Sequence, residues 1–284
     1  MPASVLPTDR PVTPWLLLLP AMGLLSLFVF FPVLYLIFLS FTTGQFTRSG
    51  LTWVGLTQFL RLLRDPQFGQ VVQSTMIFGI GTVVPSTLIP LGLAIALNRP
   101  GRNADGLRAI YFLPAITSAV AVGLGWRWLF QNDGVINQFF SLNIPWLSEP
   151  QWAMTIVIAL SIWKQVGFNM VVFLAGLQII PQSRYEAAAL DGANPWQQFR
   201  YITLPGLSPT TTFVIIATTI FTFRSFEPIY VVTGGGPLDA TNILVYFVYQ
   251  QAFGAFDFGY AAAAATVLFI GVLGLVLWQL RTES

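Results

Sequence analysis

Residues Tyr185–Pro205 read YEAAALDGANPWQQFRYITLP, and both flanks are apolar enough to lie inside a bilayer. Ser183 followed by Glu186 fits a capping box, in which a hydroxyl and a carboxylate satisfy free backbone donors at a helix start. Glu186 to Leu190 favours helix, and Gly192 suits a left-handed stop. Asn194-Pro195 restarts a helix, with Asn as N-cap and Pro in the first turn. The second helix places Trp196, Phe199 and Ile202 along one side, and Pro205 ends it. Local chemistry therefore predicts a helix–turn–helix elbow over 181–205. Its first half is rich in small residues (Ala187, Ala188, Ala189) and its second is aromatic. Such an elbow either receives another protein at close range or simply joins two spans.

The flanks decide the class. Of 284 residues 55% are hydrophobic and 8% are charged, with a mean hydropathy of +0.71. A soluble domain carries about 25% charged residues. The composition predicts an all-α polytopic membrane protein in contact with the lipid bilayer. Thirteen basic against eleven acidic residues leave a net charge of +2, which does not suggest nucleic acid. The chain has neither Cys nor His, which excludes disulfides, thiolate chemistry, zinc sites and imidazole bases. The first apolar run is long and lacks a small-residue cleavage pattern, so it reads as a span rather than a signal peptide.

Crossing about 30 Å of hydrocarbon takes roughly 20 apolar residues. Six stretches qualify, at about 15–41, 71–97, 109–130, 152–178, 206–231 and 258–280. They form one membrane domain over 15–284, preceded by a tail at 1–14. An even count puts both termini on one side. Arg10, Arg99, Arg102, Arg108, Arg184, Arg200 and Arg281 fall on that side, against Arg48, Arg61, Arg64, Arg127 and Arg224 on the other. The bias predicts cytoplasmic N- and C-termini. Pro20, Pro32, Pro85, Pro90 and Pro114 lie within spans, where neighbours or cavity water must satisfy the freed backbone. The loop opening at Gly234-Gly235-Gly236-Pro237 continues as an interrupted apolar segment, read as a short interfacial helix on the outer face.

One charge falls deep inside a span, away from its ends. Lys164 lies about 13 residues into the fourth, or roughly 20 Å at 1.5 Å per residue. A mid-bilayer lysine costs roughly 2.5–3.5 kcal/mol on the insertion scale, and such residues face a bundle interior or a watery cavity. Gln165 and Asn169 share its span, and Thr218, Thr219, Thr222 and Ser225 lie on or beside the fifth. Intramembrane threonines also pack or bond back to their own helix. Arg224 and Glu227, three apart, read as a helix-surface ion pair.

The elbow resembles the EAA motif of membrane subunits of binding-protein-dependent ABC importers. Glu186, Ala187, Ala188, Asp191, Gly192, Ile202, Leu204 and Pro205 carry the match. The segments TGGGPLDATNILVYFVYQQAF and FGYAAAAATVLF extend it to the carbohydrate branch, the relatives of the maltose and glycerol-phosphate permeases. The resemblance covers essentially the whole chain and is weakest before Trp15; it is to the six-span minimal form. It implies that the elbow is a coupling helix docking on a cytoplasmic ATPase, with Glu186 at the contact and Gly192 allowing the turn. It implies a second homologous permease, two ABC ATPase domains and a periplasmic binding protein as partners, and residence in the bacterial inner membrane. Counting from Glu186, it places the family's sugar path on Lys164, Gln165, Phe168, Thr218, Phe221, Thr222 and Ser225. It leaves open whether this subunit or its partner holds the solute.

The chain's one lysine, Lys164, lies within a span, so no Walker A phosphate loop exists here. ATP and magnesium are expected on the partner ATPase, with no cofactor and no catalytic residue in this chain. The solute is expected to be a sugar, polyol, glycoside or related compound. An uncharged solute fits the weakly charged path; an anionic one fits Lys164 and Arg127. A stand-alone secondary transporter or channel is the alternative, although the elbow would then have no task.

Overall fold

The computed structural model describes residues 13–43, 50–98 and 101–281. Most of the 1–14 tail lies outside these, as do Arg10, Arg48 and Arg99. Helix α1 runs over 13–39, with one wide turn at Ser26–Phe30, and none of its described side chains is buried within the chain. A two-strand clip pairs Thr42 with Trp53 and Thr43 with Thr52. Then come α2 (Thr57–Arg64), α3 (Pro66–Leu97), α4 (Arg102–Ile116), α5 (Ala119–Phe130), α6 (Val135–Phe139) and α7 (Pro150–Ile179). The elbow contributes α8 (Gln182–Leu190) and α9 (Pro195–Gly206). Helices α10 (Ser208–Phe223), α11 (Leu244–Tyr249) and α12 (Phe258–Arg281) complete the bundle. Among the described residues four helices are long and apolar enough to cross a membrane, or up to six segments if each of two bent pairs counts as one span.

Helices α3 and α7 form the spine, and three apolar clusters stack along α3. Phe68 and Val71 join Leu62, Phe247 and Tyr260; Phe78 joins Val157, Leu160 and Ile229; Leu91 and Ala94 join Met170, Phe173 and Leu207. Small residues set the helix spacing. A methyl group on Gly167 of α7 would run into the Tyr111 carbonyl of α4, and one on Gly79 of α3 would sit 2.7 Å from the Phe223 ring. A buried polar contact ties the same helices together. Asn169 donates to the Ser86 carbonyl of α3 at 2.6 Å and to Thr218 Oγ1 of α10 at 3.0 Å. In a bundle surrounded by lipid, where apolar burial distinguishes poorly between partners, close packing and such hydrogen bonds hold helices together.

A polar clasp joins the starts of α3 and α12. Asp65 caps α3 by accepting from Gln67 N at 2.9 Å, and its other oxygen accepts from the buried Tyr260 hydroxyl at 2.5 Å. Asp257 caps α12 by accepting from Tyr260 N, and it pairs with Arg61, whose guanidinium lies 4.1 Å over the Tyr260 ring.

The structure corrects several local readings. The segment 109–130 is not one straight helix: α4 and α5 meet at 98°, broken at Thr117 and Ser118. Pro114 lacks an N–H, Thr117 Oγ1 donates to the Pro114 carbonyl at 2.8 Å, Thr117 is extended and Ser118 is also non-helical. Helix α10 stops at Phe223, and a single wide turn at Ile229–Thr233 packs on α5. Helix α8 starts at Gln182 without a side-chain cap, because Pro181 rather than Ser183 stands at its N-cap. Pro205 does not end α9. The wide turn Phe199–Thr203, in which Leu204 N donates to the Phe199 carbonyl, makes room for the proline ring, and the 64° break falls at Leu207. The short helix after the glycine run is present as α11, but Leu244, Tyr246 and Phe247 are buried in the bundle.

Two outcomes follow for the detergent-purified chain. Gly167→Ala must push α4 off α7 and lowers stability by about 1–3 kcal/mol. Gly92→Ala, with open space around it, does not. Tyr260→Phe removes the hydroxyl from a capping carboxylate and costs about 1.5–3 kcal/mol. Thermal unfolding midpoints check both.

Candidate functional site

Helix periodicity brings Ser161, Lys164, Gln165, Phe168 and Asn169 to one face of α7. That face borders a cavity of about 390 Å³, closed on other sides by Ala115 and Ala119 at the α4–α5 break and by Phe221, Arg224, Ser225, Glu227 and Pro228 around the end of α10. The break and the lysine belong together. Lys164 Nζ donates to the Thr117 carbonyl at 2.9 Å, one of the acceptors left free where α4 ends. A cation at a helix C-terminus also meets the negative end of its dipole.

Five of the seven path residues read from the sequence line this cavity: Lys164, Gln165, Phe168, Phe221 and Ser225. Thr218 and Thr222 do not. Thr218 is buried and accepts from Asn169, and Thr222 is fully buried with no hydrogen-bond partner for its hydroxyl. The pair 218/222 points into the helix packing, and the neighbouring pair 221/225 points into the cavity. Phe168 and Phe221 leave 40% and 47% of their surfaces accessible, enough to offer a ring face. Gln165 also lines the cavity, and its Oε1 is buried without a hydrogen-bond partner.

Arg224 and Glu227 form no ion pair among the described residues; the two described pairs are Arg61–Asp257 and Arg108–Asp105. The helix ends before them, so they do not share the helical face that a three-residue spacing implies. Arg224 instead lies 5.3 Å over the Phe221 ring, and both charges line the cavity. Arg127, on α5, is exposed and does not line it. Ala115 and Ala119 were missed because they enter only through the break, whose signal in the sequence was Pro114.

The elbow follows directly from α7. Helix α8 ends in a Schellman motif: Ala193 N donates to the Ala188 carbonyl at 2.9 Å, Gly192 N to the Ala189 carbonyl at 3.1 Å, and Gly192 takes φ +81°. Helix α9 opens with a reciprocal capping box between Asn194 and Gln197. Tyr185 and Thr203 hydroxyls meet at 2.9 Å, and Tyr185 and Ile202 pack on the inner cluster of α3 and α7. The outer surface keeps Glu186, Ala187, Asp191, Gly192, Leu204 and Pro205 exposed, with Ala188 half-buried. It also exposes Leu190 (90%), Trp196 and Tyr201, apolar groups beyond the motif residues.

This constellation has relatives. The chain is 36% identical to a probable ABC transporter permease protein of Pyrococcus horikoshii, over 95% of this chain and 96% of the other. It is 36% identical to the lactose transport system permease protein LacF of Rhizobium radiobacter, over 94% and 93%. Its fold matches a chain of a bacterial alginate ABC transporter, solved in complex with a periplasmic protein carrying an alginate pentasaccharide. That match has a TM-score of 0.80 and 25% identity, covering 94% of this chain and 92% of that one. The model of the family described as binding-protein-dependent transport system inner membrane component matches residues 88–280. The chain therefore belongs to that family and is a multi-pass inner-membrane permease subunit of an ABC importer, a non-catalytic component.

Proposed function

We propose that this subunit forms half of an alternating-access path for a sugar, polyol, glycoside or related solute, with the Lys164 cavity on the path and the elbow as its mechanical input. The names of LacF and the alginate transporter support the carbohydrate class. The partners are a second homologous permease, two cytoplasmic ABC ATPase domains that bind ATP and magnesium, and a periplasmic solute-binding protein. Both termini lie in the cytoplasm. Lys164, Gln165, Phe168, Phe221 and Ser225 contact the solute, while Thr218 and Thr222 hold α10 against its neighbours.

The observation that carries this reading is the build of the elbow. Glu186, Ala187 and Asp191 stay exposed on a helix whose end is fixed by a complete Schellman motif and whose root is fixed by Tyr185 and Thr203. A rigid, solvent-facing helix pair rooted in the ends of α3 and α7 is what a push from outside the membrane requires. A stand-alone transporter gives that surface no task. Domain closure in the ATPases would then move the bundle as a largely rigid body.

Co-purification and solute-stimulated ATPase activity of the reconstituted complex test the reading. Glu186→Ala is expected to leave the complex assembled and cut stimulation at least tenfold. Gly192 has open space around it, so only its backbone conformation matters. Gly192→Val forces a β-branched residue into the left-handed region, costing roughly 1–2 kcal/mol at the turn, and uncouples the complex. Gly192→Asn, which tolerates that region, retains coupling. If no ATPase co-purifies, or both Glu186→Ala and Gly192→Val couple like the parent, the elbow is not the coupling element.

A further inference from the structure

We propose that the cavity is built for an anionic solute: a sugar or polyol derivative carrying a carboxylate, phosphate or sulfonate group. This rests on the transport reading above and narrows its substrate class.

Three features on separate elements put positive potential into one space. Lys164 on α7 and Arg224 beyond α10 both line it, against the single carboxylate of Glu227, so the lining carries a net formal charge of +1 (two cations less one anion). Neither cation is in a described ion pair, although the Glu227 carboxylate attracts Lys164 across the cavity. Lys164 meets a backbone carbonyl and Arg224 an aromatic ring. The third feature is the helix break. Helix α5, twelve residues long, begins at Ala119, which lines the cavity, and Ser118 at its N-cap makes no side-chain capping bond. The free N–H groups and the positive dipole end of α5 therefore border the same space.

Lys164 makes the break one-sided. By holding the Thr117 carbonyl it masks the negative C-terminal end of α4 and leaves the positive end of α5 uncovered. Broken membrane helices that present such an N-terminus to a midplane cavity suit anionic groups. A purely structural role for Lys164 accounts for one cation. It accounts neither for Arg224 nor for the uncapped start of α5. The remainder of the lining suits a glycosyl body: Phe168 and Phe221 offer ring faces, and Gln165 and Ser225 bring polar side chains.

The chain has no cysteine, so one introduced thiol can report the cavity's potential without knowledge of the solute. Ser225→Cys, in the assembled and reconstituted complex, is reacted with sulfonatoethyl and with trimethylammonioethyl methanethiosulfonate, and the rates are corrected for the parent complex. The anionic-to-cationic rate ratio cancels any effect of the field on the thiol's own ionisation. It is expected to exceed the ratio at a reference thiol on the exposed Gln182 position roughly tenfold, the lower end of electrostatic focusing in a charged cleft. Lys164→Gln and Arg224→Gln each lower it towards the reference, and Glu227→Gln raises it. Phe168→Cys serves as a second reporter if Ser225→Cys fails to assemble. A ratio at or below the reference, or one that none of the three neutralisations moves, overturns the anionic assignment and leaves the transport path standing. If neither thiol reacts with either reagent from the aqueous side, the cavity is not on a water-filled path, and both readings fall.

Discussion

Inside hydrocarbon a free backbone carbonyl has no water to turn to, and the site described here depends on how one such group is satisfied. The chain breaks a span at Thr117 and Ser118, and Lys164 Nζ reaches from a neighbouring helix to the Thr117 carbonyl. Each half of that pair would be costly alone: the lysine would be an intramembrane charge without a donor's partner, and the carbonyl an unmet acceptor. Together they hold open a corner between α4, α5 and α7, and the cavity occupies that corner. The intramembrane lysine thus has a structural task and a position on the cavity wall at once.

The bundle around this corner is kept in register by contact rather than by apolar burial alone. Gly167 lets α4 lie against α7, and two residues on, on another face, Asn169 pins α7 to α3 and α10. Helix α7 carries both regions of interest. Lys164 sits 15 residues before its C-terminal Ile179, about 22 Å along the axis at 1.5 Å per residue. The elbow begins three residues beyond that end. The elbow and the cavity wall are thus joined by one continuous helix, and Tyr185, Ile202 and Thr203 tie the elbow to the bundle.

Much of this was legible in the sequence because it follows from local chemistry. The charge deficit determined a membrane protein, and stretches of bilayer length located its helices. Gly192 and Asn194-Pro195 specified a stop and a restart that need only a few neighbouring residues, and both are formed with their expected backbone bonds. Where local rules competed, they misled. Pro181 displaced Ser183 as the cap, and a wide turn carried α9 through Pro205. The oddity of Lys164 was also plain from its position alone, since no other charge interrupts its span.

What lay beyond the sequence was every property that depends on two helices meeting. Whether Thr218 and Thr222 faced solute or packing was undecidable from spacing, because either side of α10 could have turned towards α7. The Arg224–Glu227 pair looked helical by count, but the helix ends one residue before Arg224, which then rests on Phe221. The cavity borders a kink that Pro114 merely permits, where Thr117 is held by a lysine 47 residues further along the chain. Sequence by itself determined the solvent of this protein, its helical elements and the chemistry of its elbow, since these rest on hydropathy and short-range backbone bonding. The tertiary structure alone decided which polar groups face one another across the bundle, because long-range packing selects among helix rotations that the sequence leaves nearly equivalent.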